Sequence, residues 1–598
     1  MPRRVNRRVA LLVALAAGAA GAAIAQSQPE SILPPGFGQP ATPPPPAATP
    51  TPAPRATPAR PSSPDLSRIE DIIESAEGEE QAQVRVAPPI EYPDDRRRDP
   101  ALAGVLSTAS LGIDGNPWGS ASGKFLSILV RRTDTPLASR WAHIGLRNML
   151  LARAPAPGGV HPADWVAERA WLLLRMGEAD AARLLVASVD TDRFTPKLVQ
   201  VAAQVALANS DPSGLCAIET LLPKVEPRIA PLVTAMCASL AGEAERAAAD
   251  IEAARRRGRV GAIELALADK VVGAGADTAR AVTIEWEPVE QLNSWRYGLS
   301  TATGLKPPDR LMDKADPQVR AWFARAPMFA PLQKMDAART AAALGVMSSD
   351  AMVDLYSAAY DAIDPDELGG SDPWKLRQAF VGKDREAKLA AMRELWGSGD
   401  NRVQRMAGWV TTARAATLIA PDPELQADAA NLIAAMFAGG YDGQAARWAQ
   451  AVARMDDEQA DAAWAMLALG APDASKIDID QDRIEDFADR DNSPGKQRTA
   501  LLVAGLAGLG RIDAQTAGRL NEAYDLGLGR QTAWTRLIDG AAMRRQEGTA
   551  MILTGLAMQA PSMADVPALY LFHATNALRR TGLEAMARMI AAEALART

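Results

Sequence analysis

The stretch WVAERAWLLLRMGEADAARLLVASV (Trp165–Val189) decides the fold. WVAERAWLLLRMG reads as one helix and EADAARLLVASVD (Glu178–Asp190) as the next, joined at Gly177. Ala170, Leu173 and Leu174 fall on one helical face and point to a core, and Ala181, Ala182 and Leu185 pack back against them. Small Ala residues at the crossing let the two helices approach closely.

From about Ala101 onward the same unit recurs with variations. NLIAAMFAGG runs into YDGQAARWAQAVARMD over Asn431–Asp456, and LLVAGLAGLG into RIDAQTAGRLNEAYDLG over Leu501–Gly527. Leu571–Thr598 adds a final pair. Alanine is abundant, β-branched residues are sparse and aromatics make up 5%, which favours helices over sheets. The expected fold is all-α, an α-solenoid of stacked helical hairpins. Its N-terminal half spans 101–282 and its C-terminal half 332–598. Between them, 283–331 reads as an irregular junction rich in Trp and Pro, with Trp286, Trp295, Pro307, Pro308, Pro317 and Trp322. Asp361–Trp374 reads as a second irregular loop.

A helix ending in Gly, then an acidic turn, then Ala at the fourth or fifth position after that Gly, resembles the tetratricopeptide-type helical hairpin. Gly177 with Ala181 and Gly440 with Ala445 carry the likeness. The period drifts, and Trp and Tyr do not recur at the family's positions. The resemblance implies an extended concave binding surface and a scaffold or adaptor role. The soluble lytic transglycosylases also join an α-superhelix to a lysozyme-like domain. Their Glu-Ser pair occurs here only as Glu30-Ser31 and Glu74-Ser75, and no lysozyme-like segment follows the helices.

The N-terminus reads as an export signal. Arg3, Arg4, Arg7 and Arg8 precede an apolar, Ala-rich run, and Ala23-Ile24-Ala25 gives a small-x-small site, so cleavage is expected between Ala25 and Gln26. The run is too short and too rich in Ala and Gly for a stable membrane anchor, and no later stretch is long and apolar enough to span a bilayer. The expected address is the periplasm, with secretion, or inner-membrane anchoring if cleavage fails, as alternatives. Residues 26–64 read as a disordered Pro/Ala/Thr-rich tether, 14 of the 38 residues from Ser27 to Pro64 being Pro. Residues 65–100 read as a short acidic amphipathic helix and a linker. Leu66, Ile69, Ile72 and Ile73 form the apolar stripe of that candidate docking helix.

The formal net charge is −7; loss of the leader's four Arg leaves 61 Lys and Arg against 72 Asp and Glu, or −11. That balance argues against nucleic acid as a partner, which needs a basic stripe. The two cysteines, Cys216 and Cys237, lie either side of a Pro-bounded turn (Pro223–Pro227). A helix is expected before the turn (Ser213–Leu222) and another after it (Arg228–Leu240), so an antiparallel hairpin would bring the thiols together. An oxidising compartment favours a disulfide there.

Catalytic and metal patterns are incomplete. His143, His161 and His573 have no second ligand at zinc spacing. Gly119–Lys124 (GSASGK) lacks one residue of a phosphate loop, and Phe125 stands where Ser or Thr is needed. Ser493-Pro494-Gly495-Lys496 matches Ser-x-x-Lys without its partner motifs and reads as a helix cap. Asp478–Asp489 has calcium-loop spacing, but Arg483 replaces the turn Gly and Asp489 the bidentate Glu. These residues imply no cofactor, no metal and no enzyme. The expected function is a periplasmic helical-repeat scaffold that binds another cell-envelope protein. The alternative is a protein that binds or processes peptidoglycan or polysaccharide through the aromatics of Trp286–Trp322. The oligomeric state is left open.

Overall fold

A computed structural model describes residues 93, 96–275, 282–397 and 401–598. The candidate docking helix (Leu66, Ile69, Ile72, Ile73) and the Ala25–Gln26 cleavage point lie outside the described residues. The described body is all-α, and its strand content is one parallel pairing of Leu106–Ser107 with Ala152–Arg153.

The hairpin at Trp165–Val189 is present as the helices Pro162–Arg175 and Ala179–Val186, which pack on each other. His161 caps the first through its Nδ1, and Pro162 takes the first helical position, where its missing N–H costs nothing. Ala170, Leu173, Leu174, Ala182 and Leu185 are all fully buried. Gly177 turns left-handed with φ +87°. Its N–H bonds the Leu174 carbonyl, and the Glu178 N–H reaches back to Leu173, which satisfies two helix-end acceptors.

That pair of bonds is the real repeat of this chain. It recurs at Gly242, Gly345, Gly440, Gly510 and Gly582, each with positive φ. It also occurs at Ser210 and Arg545, which adopt φ of 55° and 50° without being Gly. Gly177 has a second reason to be Gly, since an added Cβ would lie 2.8 Å from the Ala321 Cβ of the Pro317–Arg325 helix. Gly177→Ala is therefore expected to destabilise by about 1–3 kcal/mol, from left-handed strain plus overpacking. Chemical denaturation beside a control such as Gly158→Ala, where the added Cβ would meet open space, checks this.

Three segments differ from expectation. Before the Pro-bounded turn, the chain forms a 3-10 helix, Pro212–Ile218, tightened by Asp211 accepting from the Gly214 N–H at 3.1 Å. After Gly440 the expected long helix breaks into Asp442–Ala446 and Ala449–Val452. There the Arg447 and Trp448 N–H groups bond three residues back, and Trp448 is buried at 1% exposure. Third, the 283–331 stretch is more helical than its Pro content suggests. It holds Ser294–Ala302, Asp309–Met312 and Pro317–Arg325, and Pro317 and Pro331 start helices rather than break them. Trp295, Tyr297 and Trp322 are core residues, with the Tyr297 and Trp322 rings 5.6 Å apart.

Hairpins stack on their chain neighbours as a helical-repeat reading requires, but the row also closes on itself. The Arg140–Leu150 helix packs on Pro331–Leu344, on Glu547–Ala557 and on the last helix, Glu584–Ala596. The contact is close: an added Cβ at Gly145 would sit 2.9 Å from the Met551 Sδ and 3.1 Å from the Met586 Sδ. Gly119–Lys124 joins the same seam. Gln546 Nε2 donates to Ser120 Oγ at 3.2 Å, and the Gly548 N–H donates to the Pro117 carbonyl at 2.8 Å. An open solenoid, in which each repeat meets only its neighbours, gives way here to a body whose first and last hairpins share a core.

Candidate functional site: a cationic groove beside the seam

The seam is built around two buried charges. Arg140 donates through Nε to the Ala342 carbonyl (2.9 Å), through Nη1 to Ala438 (3.0 Å) and through Nη2 to Met347 (3.1 Å). Ala342 and Ala438 lie at the C-terminal ends of their helices, where carbonyls lack partners within the helix. Desolvation pulls the Arg140 guanidinium down to about 10, so it stays charged at neutral pH. Glu593 works at the opposite pole of the same helix start. It accepts from Ser139 Oγ (2.6 Å), Arg140 N–H (2.8 Å) and Trp141 N–H (3.0 Å), and pairs with Arg597 at 2.8 Å. A carboxylate at a helix N-terminus meets both orphan N–H groups and the positive end of the dipole.

His143, one turn on, bonds Glu178 through Nε2 at 3.0 Å, and Arg147 reaches the same oxygen at 3.2 Å. Burial, the largest effect, holds the imidazole below its ordinary value against the opposing pull of Glu178; Arg147 and Arg140 add to the depression. His143 therefore holds a proton less tightly in the folded chain than in the unfolded one, whose imidazole has its ordinary value of about 6.5. The unfolded state binds more protons below that pH, so stability falls as pH drops from about 6.5 toward the lower native value, by up to about 1.4 kcal/mol per pH unit. His143→Gln is expected to flatten that acid limb, as read by near-ultraviolet circular dichroism melts between about pH 7 and 5.

Above the seam lie three adjoining cavities of about 470, 670 and 1050 Å³. The first two share Arg405, Trp409 and Ala596, and the last two share Asn401, Val403 and Arg597. They form one groove along the Arg402–Ala416 helix and the C-terminal helix. Two tryptophans fix its floor: Trp409 Nε1 donates to Asn431 Oδ1 at 3.1 Å, and Trp396 Nε1 to Thr412 Oγ1 at 2.9 Å. Ala430, Ala434, Ala462 and Met466 complete an apolar bed.

The rim is basic. Arg393, Arg405 and Arg498 line the first cavity with no Asp or Glu among its lining residues. Arg402, Arg405 and Arg597 line the second, beside the terminal Thr598. The third adds Arg320 and Arg339 against Asp134 and Asp336. Arg393 is anchored, with Nε and Nη2 on the two Asp428 oxygens at 2.8 and 2.6 Å, which raises its pKa through hydrogen bonding. Arg402 is exposed and makes no ion pair among the described residues, and the Arg498 Nε is buried without a hydrogen-bond partner. In a chain with excess acid, this concentration of one sign in a concave site focuses a positive potential there.

Comparison with known protein families, with curated proteins and with solved structures gave no match. The groove's chemistry therefore rests on its own residues.

The residues singled out from the sequence lie elsewhere. Cys216 and Cys237 are joined as a disulfide, with Cα atoms 5.6 Å apart. His161 caps a helix, and His573 has Nδ1 on Asp539 (2.8 Å) and Nε2 on the Leu528 carbonyl (3.1 Å), so both its ring nitrogens are engaged. Ser493 precedes a 3-10 turn, and its Oγ accepts from the Arg498 N–H at 3.0 Å, so Gln497–Leu509 starts three residues later than a cap at Ser493 implies. Asp480 caps Gln481–Arg490 by accepting from the Arg483 N–H at 2.8 Å. The groove arginines escaped sequence reading because they come from five separate helices and from Arg597 after the last one. Their only local signal is Arg402 and Arg405, three apart on one helical face.

Proposed function

We propose that this chain is a non-enzymatic scaffold of the cell envelope that holds a segment of another protein in the groove above the seam. The observation that carries the reading is the groove itself: an apolar floor fixed by hydrogen-bonded tryptophans beneath a rim of arginines. Such a site offers orientation and burial rather than bond-making groups. The disulfide supports an oxidising compartment and thus the periplasm, in line with the export signal read at Arg3–Ala25. The tetratricopeptide-like hairpins support the same class of function. Of the aromatics that motivated a glycan groove, Trp295, Tyr297 and Trp322 pack between helices, and Trp286 is partly exposed.

Replacing Val403, 46% exposed on the groove rim, by benzoylphenylalanine tests this in living cells. A discrete crosslinked envelope protein is expected from Val403 and not from the control position Leu240, 44% exposed and away from the groove lining. Identical products at both positions, or none at Val403, would remove the proposal.

A further inference from the structure

We infer that the groove is specific for an acidic amphipathic helix, one presenting an aliphatic stripe flanked by carboxylates. The inference rests on the reading of the groove as a partner site and names the chemistry of what enters it.

Two features converge. The first is charge. Arg402 and Arg498 face the groove from separate helices, and neither has a carboxylate partner among the described residues. Arg498 is half-buried, with its Nε sealed from solvent and without an acceptor. Arg405 and Arg597 line the groove beside them, Arg597 paired with Glu593. The second feature is the floor. Ala430, Ala434, Ala462 and Ala596 give a shallow, smooth bed, with Met466 and Leu595 as its larger apolar members. Small side chains let a helix axis approach, and Met adapts to whichever aliphatic residues arrive. A bare polyanion would satisfy the rim and leave this floor wet. A basic helix would meet the rim with like charge, which disfavours the wrong partner as strongly as contacts favour the right one.

The occupant is thus a helix with Leu or Ile at i, i+3, i+4 and i+7 and Glu or Asp on its flanks, belonging to a partner protein. Carboxylates would take the open donors of Arg402 and Arg498, and the aliphatic stripe would cover the alanine bed.

The test uses the full chain and three labelled synthetic probes of about 17 residues, long enough to form a helix when docked. One carries Leu at helical spacing with Glu elsewhere, the second replaces every Glu by Lys, and the third is polyglutamate without Leu. Fluorescence anisotropy is expected to show binding of the Glu/Leu probe only, weakening as salt rises from about 50 to about 300 mM. Arg402→Glu with Arg498→Glu is expected to weaken it about tenfold or more and to admit the Lys/Leu probe. Arg402→Glu alone, at an exposed position, gives the same direction of change if the double variant folds poorly. Equal binding of polyglutamate, equal binding of the Lys/Leu probe, or indifference to both variants would overturn the inference. If the Glu/Leu probe fails while Val403 still crosslinks a discrete partner, the acidic-helix inference falls and the scaffold reading stands. If both fail, both fall.

Discussion

Replacing Arg140 by leucine is expected to destabilise the seam by about 3–5 kcal/mol, among the largest effects of any single substitution in this chain. Arg140 is 3% exposed and occupies all three arms of its guanidinium on carbonyls from two helix ends and the turn at Met347. Leucine fills much of the volume but takes the donor from the Ala438 and Met347 carbonyls, while Ala342 keeps its bond from the Gly345 N–H. It also strips a compensating charge from the buried Glu593. Lysine is not a rescue, because one ammonium lacks the planar fork that reaches three diverging acceptors. Arg140→Leu combined with Glu593→Leu is expected to cost less than the sum of the two single changes, since the two buried charges attract each other, with Glu593 keeping Arg597 as its ion-pair partner in either background where it is present. Because a body of this size need not unfold in one step, the measurement is hydrogen exchange of individual helices rather than one midpoint. Arg140–Leu150, Pro331–Leu344 and Gln426–Gly439 are expected to lose protection together.

Removing the disulfide ranks second. Cys216 and Cys237 are 21 residues apart, and opening a loop of that length costs about 3 kcal/mol in the chain-entropy account. The 3-10 segment Pro212–Ile218 has weak hydrogen-bond geometry of its own and depends on that tie to Ala230–Leu240. Cys216→Ala with Cys237→Ala, or reduction of the native chain, is expected to raise exchange across Pro212–Arg257. Arg402–Ala416, remote from the bridge in the chain, is expected to keep its protection. Loss spread evenly over the whole body would show that the bridge is not a local staple.

The helical layout was legible in the sequence because its signals are local. Ala and Leu periodicity placed Pro162–Arg175 and Gln497–Leu509, and Gly177, Gly440 and Gly510 marked where helices stop. The same caps at Ser210 and Arg545 were illegible, because a non-glycine residue in the left-handed region leaves no trace in composition. The break at Trp448 was hidden for a related reason: the buried Trp sits at a tighter turn inside the Ala-rich run Ala445–Ala453, whose composition favours helix. The seam was hidden altogether. Glu593 sits in AAEALA, which reads as a carboxylate on an ordinary helix surface, and only contact with Arg140 makes it a buried cap. The groove was hidden for the same reason, since Ala596 and Arg597 share a lining with Trp409 and Arg405 although they lie far apart in sequence. Its arginines are thus a property of packing rather than of any motif.

Hydrogen exchange of Glu593→Ala tests closure most directly. Glu593 and Arg140 are 453 residues apart in sequence, so an open row of hairpins would confine the damage to the last repeats. Faster exchange is expected in Glu584–Ala596 and, together with it, in Arg140–Leu150. Full protection of Arg140–Leu150 in that variant would contradict closure.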